Sequence, residues 1–195
     1  MGEMKSAWER AMEKVEKLGK PSEEELKQLE HVPAGNRLAA RYLKEDNFNL
    51  DAELTKYKGS GFRKYIIQGA EEIFLRNIVL PQNEYAGQTI QRAMEGIRLL
   101  KENKNKLETI FDRINNLLNY YEQARQQAYM QFRKGFESKL QEAAQNLQQQ
   151  TGHRARIEPE SHPQFQQEWR KISNELDSQY EKVLEEHRQE IRKIA

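Results

Sequence analysis

The sequence predicts an all-α protein, with an N-terminal cluster of short helices and then a long antiparallel helical hairpin that is coiled-coil-like but nearly straight. Three observations predict it. From Leu107 to Gln150 the chain has no proline, a single glycine (Gly135), and apolar residues every three or four positions. At 1.5 Å per residue that is a helix of roughly 66 Å. A second proline-free run, Gln164 to Ile194, follows and can fold back along the first. The composition agrees: only 36% of residues are hydrophobic and the mean hydropathy is −1.03, while 32 Lys and Arg nearly cancel 31 Asp and Glu. A disordered chain of such low hydrophobicity normally carries a large net charge, so many balanced charges fit solvated helix faces better.

Taken in order, Met4, Ala7, Trp8, Ala11, Met12, Val15 and Leu18 form an amphipathic stripe that predicts a first helix over Glu3 to Leu18. Gly19 and Pro21 close it. Ser22 with Glu25 makes a capping box that opens a short second helix, ending at Val32-Pro33. A third piece runs from Gly35 to Glu45, and a fourth, capped by Asn49, from Asp51 to Tyr57 with Leu50 and Leu54 on its apolar side. Lys58-Gly59-Ser60-Gly61 is a flexible break. The helix after it, Phe62 to Ile78, carries Ile66, Ile67, Ile73, Phe74 and Leu75 on more than one face, the pattern of a helix packed on several sides and the expected centre of the N-terminal core. Pro81 and Asn83 turn the chain into a helix over Tyr85 to Lys101, and Asn103-Lys104-Asn105 makes a loop or a kink. The first domain is therefore placed at residues 1–103.

The second domain, 104–195, holds the hairpin, with helices about 105–151 and 164–194. The expected buried face of the first reads Leu107, Ile110, Ile114, Leu117, Tyr121, Ala124, Ala128, Phe132, Phe136, Leu140, Ala143 and Leu147. That of the second reads Phe165, Trp169, Ile172, Leu176, Tyr180, Val183, His187, Ile191 and Ile194, a mean step of ~3.6, nearer a straight helix than the 3.5 of a left-handed coiled coil. Pro159 and Pro163 keep the connection His153 to Pro163 from being helical throughout. One narrow seam per helix is weak alone, so the hairpin is expected to lean on the N-terminal helices, a second copy or a partner.

The chain offers little for chemistry. It has no cysteine, so thiolate nucleophiles and thiolate metal sites are excluded. The four histidines, His31, His153, His162 and His187, belong to no H-E-x-x-H or Glu-x-x-His motif. No catalytic residue, cofactor or metal is assigned, and the expectation is a protein that is not an enzyme. Neither an N-terminal apolar stretch nor 18 consecutive uncharged apolar residues is present, so a cytoplasmic protein with no membrane partner is expected. Lys58, Gly59, Ser60, Gly61, Arg63 and Lys64 form a candidate anion-binding element, with glycines ahead of a helix and basic side chains beside them. With Lys56 added, the Lys56 to Lys64 patch is the main support for nucleic-acid association, the third of three readings, against which the near-neutral charge balance argues. Tyr121, Phe132, Phe136, Trp169, Leu176, Val183 and His187 are the candidate interface residues on the hairpin.

Glu158-Pro159-Glu160-Ser161-His162 is similar to the E-P-x-D-H element of the all-helical redox-enzyme maturation chaperones that bind twin-arginine signal peptides. Ser161 stands where that element has aspartate, and no residue role is carried over. Taken whole, the chain resembles uncharacterised bacterial all-helical proteins of this size, a resemblance that implies no activity. The leading expectation is a structural or protein-interaction protein acting through the hairpin. Its partner would be a second copy, a dimer being favoured, or another helical protein. The alternative is a helical ligand- or peptide-binding, chaperone-like module walled by the Phe62 to Ile78 helix.

Overall fold

A computed structural model of the protein describes residues 21–83, 85–151 and 158–195. The helix expected over Glu3 to Leu18 lies outside the described residues. In chain order the helices are α1 (Glu23–Lys44), α2 (Leu50–Thr55), α3 (Arg63–Asn77), α4 (Ala86–Leu100), α5 (Lys104–Thr151) and α6 (Pro163–Arg192), with a 3-10 turn at Pro159–Ser161. No strand occurs among the described residues. Two compact units result, one of residues 1–76 and 95–100, the other of 77–94 and 101–195.

In the first unit, α1 opens on the expected capping box: Ser22 Oγ accepts from the Glu25 N–H, and Glu25 Oε2 accepts from the Ser22 N–H. The chain then departs from the sequence expectation. Instead of stopping at Pro33 and restarting at Gly35, one helix of 22 residues runs through both. Proline removes the hydrogen bond to the carbonyl four residues back, here that of Leu29. Leu29 is 72% exposed, so water can take that carbonyl. What makes continuity worthwhile is packing against α3. A Cβ on Gly35 would lie 1.9 Å from the Ile66 carbonyl oxygen, and one on Gly69 would lie 2.2 Å from the Val32 carbonyl oxygen. The two backbones touch through reciprocal glycines, one of them two residues past the proline, and a break there would lose the contact.

Asn49 caps α2 by accepting from the Ala52 N–H, and Leu50 and Leu54 are buried, as expected. Gly59 has φ +84, which a glycine adopts freely in the break before α3. Tyr65, Ile66, Ala70, Phe74 and Leu75 of α3 are at most 3% exposed. Tyr42 packs edge-on against Phe74, and Gly96 lies so close to the Phe74 ring that a Cβ would approach it to 2.5 Å.

In the second unit, Asn83 caps α4 by accepting from the Ala86 N–H, and Asn103 opens α5 by accepting from the Lys106 N–H. The run Asn103-Lys104-Asn105 is thus a cap and a first turn. Helices α5 and α6 lie against each other: Arg113 pairs with Glu190, Tyr121 meets Asp177 and Tyr180, Tyr129 meets Trp169, and Phe132 meets Phe165. The numbers on one helix fall as those on the other rise, so the two run in opposite directions.

The buried faces are shifted from those expected. On α5, Phe111 and Leu118 are buried where Leu117 was expected, with Leu117 half-buried and Ala143 exposed. On α6, Leu184 and Arg188 are buried while Ile172 and Val183 are 37% and 38% exposed. Tertiary contacts explain the rotation, because Arg188 reaches the carbonyl of Ile78 in the segment that leads to Pro81.

Candidate functional site

The paired helices α5 and α6 carry the groups most able to bind something. Where α6 begins, an aromatic seam forms in which Tyr129, Phe132 and Phe136 of α5 interleave with Phe165 and Trp169 of α6 at centroid distances of 4.8 to 6.2 Å. These are the offset and edge-on arrangements that ring quadrupoles favour. The sequence spacing of three and four foresaw the set, and Phe132, Phe136 and Trp169 among the candidate interface residues do meet here. They meet within the chain: Phe136 is buried, and Phe132 and Trp169 are half-buried.

The element Glu158 to His162 locks one end of this seam. Pro159 to Ser161 make the 3-10 turn, His162 Nδ1 accepts from the Gln164 N–H at the start of α6, and Glu160 Oε1 accepts from Arg133 Nε at 2.5 Å and from the Tyr129 hydroxyl. A backbone hydrogen bond, then Arg133, holds the Glu160 carboxyl below its usual range. Burial, then Glu160, pushes the Tyr129 phenol up.

Further along, Tyr121 is fully buried and donates to Asp177 Oδ1 at 2.7 Å while accepting from Gln82 Nε2. Burial first, and the bond to Asp177 second, raise its phenol to about 12. Arg188, 8% exposed, donates from Nε and Nη2 to the Ile78 carbonyl and from Nη1 to Glu181 and Glu185. Lys101 is likewise buried, its Nζ on the Ile194 carbonyl at 2.7 Å. His187 is half-buried, with Nδ1 shielded from water and 3.8 Å from a Glu190 oxygen.

Two surfaces flank the seam. On one side Pro81, Gln82, Asn83, Glu122, Arg125, Gln126, Tyr129 and Trp169 line an open groove of about 510 Å³. On the other, Ile172, Leu176 and Val183 share a flank of α6 by helical spacing. Tyr120 of α5, whose carbonyl accepts from the Tyr180 hydroxyl at 3.5 Å, is 65% exposed. Of the candidate interface residues, Leu176 and Val183 lie on this flank.

The candidate anion element looks different in three dimensions. Lys64 Nζ sits 2.7 Å from a Glu24 oxygen, which raises the lysine and lowers the glutamate. Lys56 pairs with Glu53. Ser60 Oγ donates to the Tyr57 carbonyl, and the N–H groups of Arg63 and Tyr65 go to Ser60 and Phe62 carbonyls. The turn itself uses the N–H groups of Lys58, Ser60 and Arg63, and Glu24, remote in sequence, pairs with Lys64. Beside it His31 stacks on Phe62 at 4.2 Å, while Tyr65 and Phe74 are sealed in the core. The α3 helix therefore presents no pocket wall at either of these two aromatics.

Sequence reasoning missed Arg125 and Arg188. A signal existed for both: each carries a charge four residues after a buried apolar position, Tyr121 and Leu184. Spacing alone does not say whether such an arginine snorkels to water or finds a buried acceptor.

Fold and site together define a mostly helical protein, without strands among the described residues, in which two long helices meet through an aromatic seam. The chain belongs to a family of unknown function, DUF6657, whose model matches residues 51–193, from within α2 through α6. No curated protein and no solved structure matches it. No helix of the described residues is long and apolar enough to cross a membrane.

Proposed function

We propose that the protein is an interaction protein that works through the nearly straight helical hairpin of α5 and α6 and associates with a second copy of itself. The observation that supports this reading is the exposure of large apolar side chains on both helices: Ile172 and Val183, which share a flank of α6 with Leu176, are 37% and 38% exposed, and Tyr120 of α5 is 65% exposed. A hairpin with one seam gains stability by covering such a strip. A second copy suits the edge of that strip. Lys171, Glu175, Lys182 and Glu186 alternate in sign along the exposed side of α6, so a two-fold related copy can set opposite charges against each other.

Size-exclusion chromatography with light scattering at tens of micromolar should give twice the 23.1 kDa chain mass. The double variant Ile172→Glu, Val183→Glu should run as a single chain with unchanged helical circular dichroism. A single-chain mass for the unaltered protein at that concentration would sink the self-association reading.

A further inference from the structure

The groove beside the aromatic seam holds Arg125, a cation that makes no ion pair among the described residues, with Glu122 also in its lining. Arg113, Arg133, Arg188 and Arg192 each have a carboxylate within 3.1 Å. Arg125 has no hydrogen-bond or ion-pair partner among the described residues, and its Nε is fully shielded from water. Nε is closed to solvent, so a ligand in the groove would meet the terminal Nη groups of Arg125. The nearby acids do not serve. Asp177 accepts from the Tyr121 hydroxyl at 2.7 Å, and Glu122, three residues from Arg125 on the same helix, is exposed and lines the same groove without an ion pair to Arg125.

Around this cation stand Tyr129 and Trp169, edge-to-face at 5.1 Å, and the amide side chains of Gln82 and Gln126. The Nε2 of Gln82 is spent on Tyr121, which leaves its carbonyl oxygen for another donor. A volume of about 510 Å³ is that of a small-molecule site, and its lining combines the Tyr129 and Trp169 rings with one cation, Arg125, and one carboxylate, Glu122. We propose that this groove binds an organic carboxylate bearing a flat apolar group, the carboxylate on Arg125 and the flat group against Trp169 and Tyr129. A guanidinium offers paired donors that match a carboxylate's two oxygens, which a lysine would not. A small aromatic acid and the C-terminal carboxylate of a peptide ending in an aromatic residue share this chemistry. The inference is independent of self-association, which uses the other flank.

The test uses Trp169 as reporter. Trp8 and Trp169 are the only tryptophans, so a full-length Trp8→Phe protein isolates the signal. Its emission should change saturably with phenylacetate, and at least tenfold more weakly with phenylacetamide, which keeps the ring but lacks the charge. N-acetylphenylalanine, standing in for a peptide terminus, against phenylacetate shows which source fits better. Arg125→Gln should weaken binding at least tenfold and Arg125→Lys less. Isothermal titration of the unaltered protein with the same acid and amide repeats the comparison without any substitution. No saturable response to either acid, an equal response to acid and amide, or undiminished binding by a folded Arg125→Gln protein would each overturn the proposal.

Discussion

The first unit joins α1 to α3 by leaving side chains out, whereas the second joins α5 to α6 by filling the space with large ones. Gly35 and Gly69 let two backbones touch, with built Cβ atoms 1.9 and 2.2 Å from the opposing carbonyl oxygens. In the second unit the contacts are rings of 4.8 to 6.2 Å spacing and long polar side chains such as Arg188 that cross to a carbonyl. A backbone contact has no soft part to give, while a side-chain contact can repack in part. The two regions should therefore fail differently under substitution.

The largest effect is expected at Gly35. Gly35→Ala places a methyl inside the Ile66 carbonyl, and neither helix can shift without opening the interface. Overpacking of this kind costs about 3 kcal/mol or more, read as a large fall in melting temperature. The same change at Gly135 in α5 is the control, since a Cβ there meets nothing within 4 Å. If Gly35→Ala proves as harmless as Gly135→Ala, the close approach is wrong.

Next is Arg188→Met, which keeps length and apolar packing but leaves the Ile78 carbonyl without its two donors and frees Glu181 and Glu185. A loss of about 2–3 kcal/mol in denaturant unfolding is expected. The pH dependence sharpens it. Hydrogen bonds from Arg188 first, then Gln189 and Arg192, lower the Glu185 pKa in the folded protein. Its contribution is full above the ordinary carboxylate range and is lost as pH falls through the lowered value. The variant should therefore lose less stability on acidification than the parent, and equal acid limbs would mean that Arg188 does not act through Glu185.

Tyr121→Phe should cost about 1 kcal/mol, because the ring packing stays and only the bonds to Asp177 and Gln82 go. The phenol is raised by burial and then by Asp177 from 10.0 to about 12. Its stabilisation is complete below the unfolded value and disappears as pH rises through about 12. Tyrosine absorbance titration should show one late phenol that the variant lacks. The smallest effect has the opposite sign: Gly135→Ala, exposed and mid-helix, should stabilise by about 0.5–1 kcal/mol, visible as a modest rise in melting temperature.

The sequence by itself determined that the described residues are mostly helical and where most of the helices begin and end, the join of two expected helices through Pro33 apart. Capping at Ser22, Asn49 and Asn83, the break at Gly59 and the apolar spacing from Leu107 onward are local signals, set by hydrogen bonds and side chains a few residues apart. Only the tertiary structure decided what crosses between helices. It carried α1 through Pro33, because a glycine contact with α3 outweighs the bond a proline removes. It turned the buried face of α6 toward Leu184 and Arg188, because Ile78 supplies an acceptor 110 residues away. It set Glu24 against Lys64, and it left Arg125 without a partner beside Trp169. Each of these depends on atoms far apart in the chain, and periodicity carries no information about which distant group will stand opposite a given side chain.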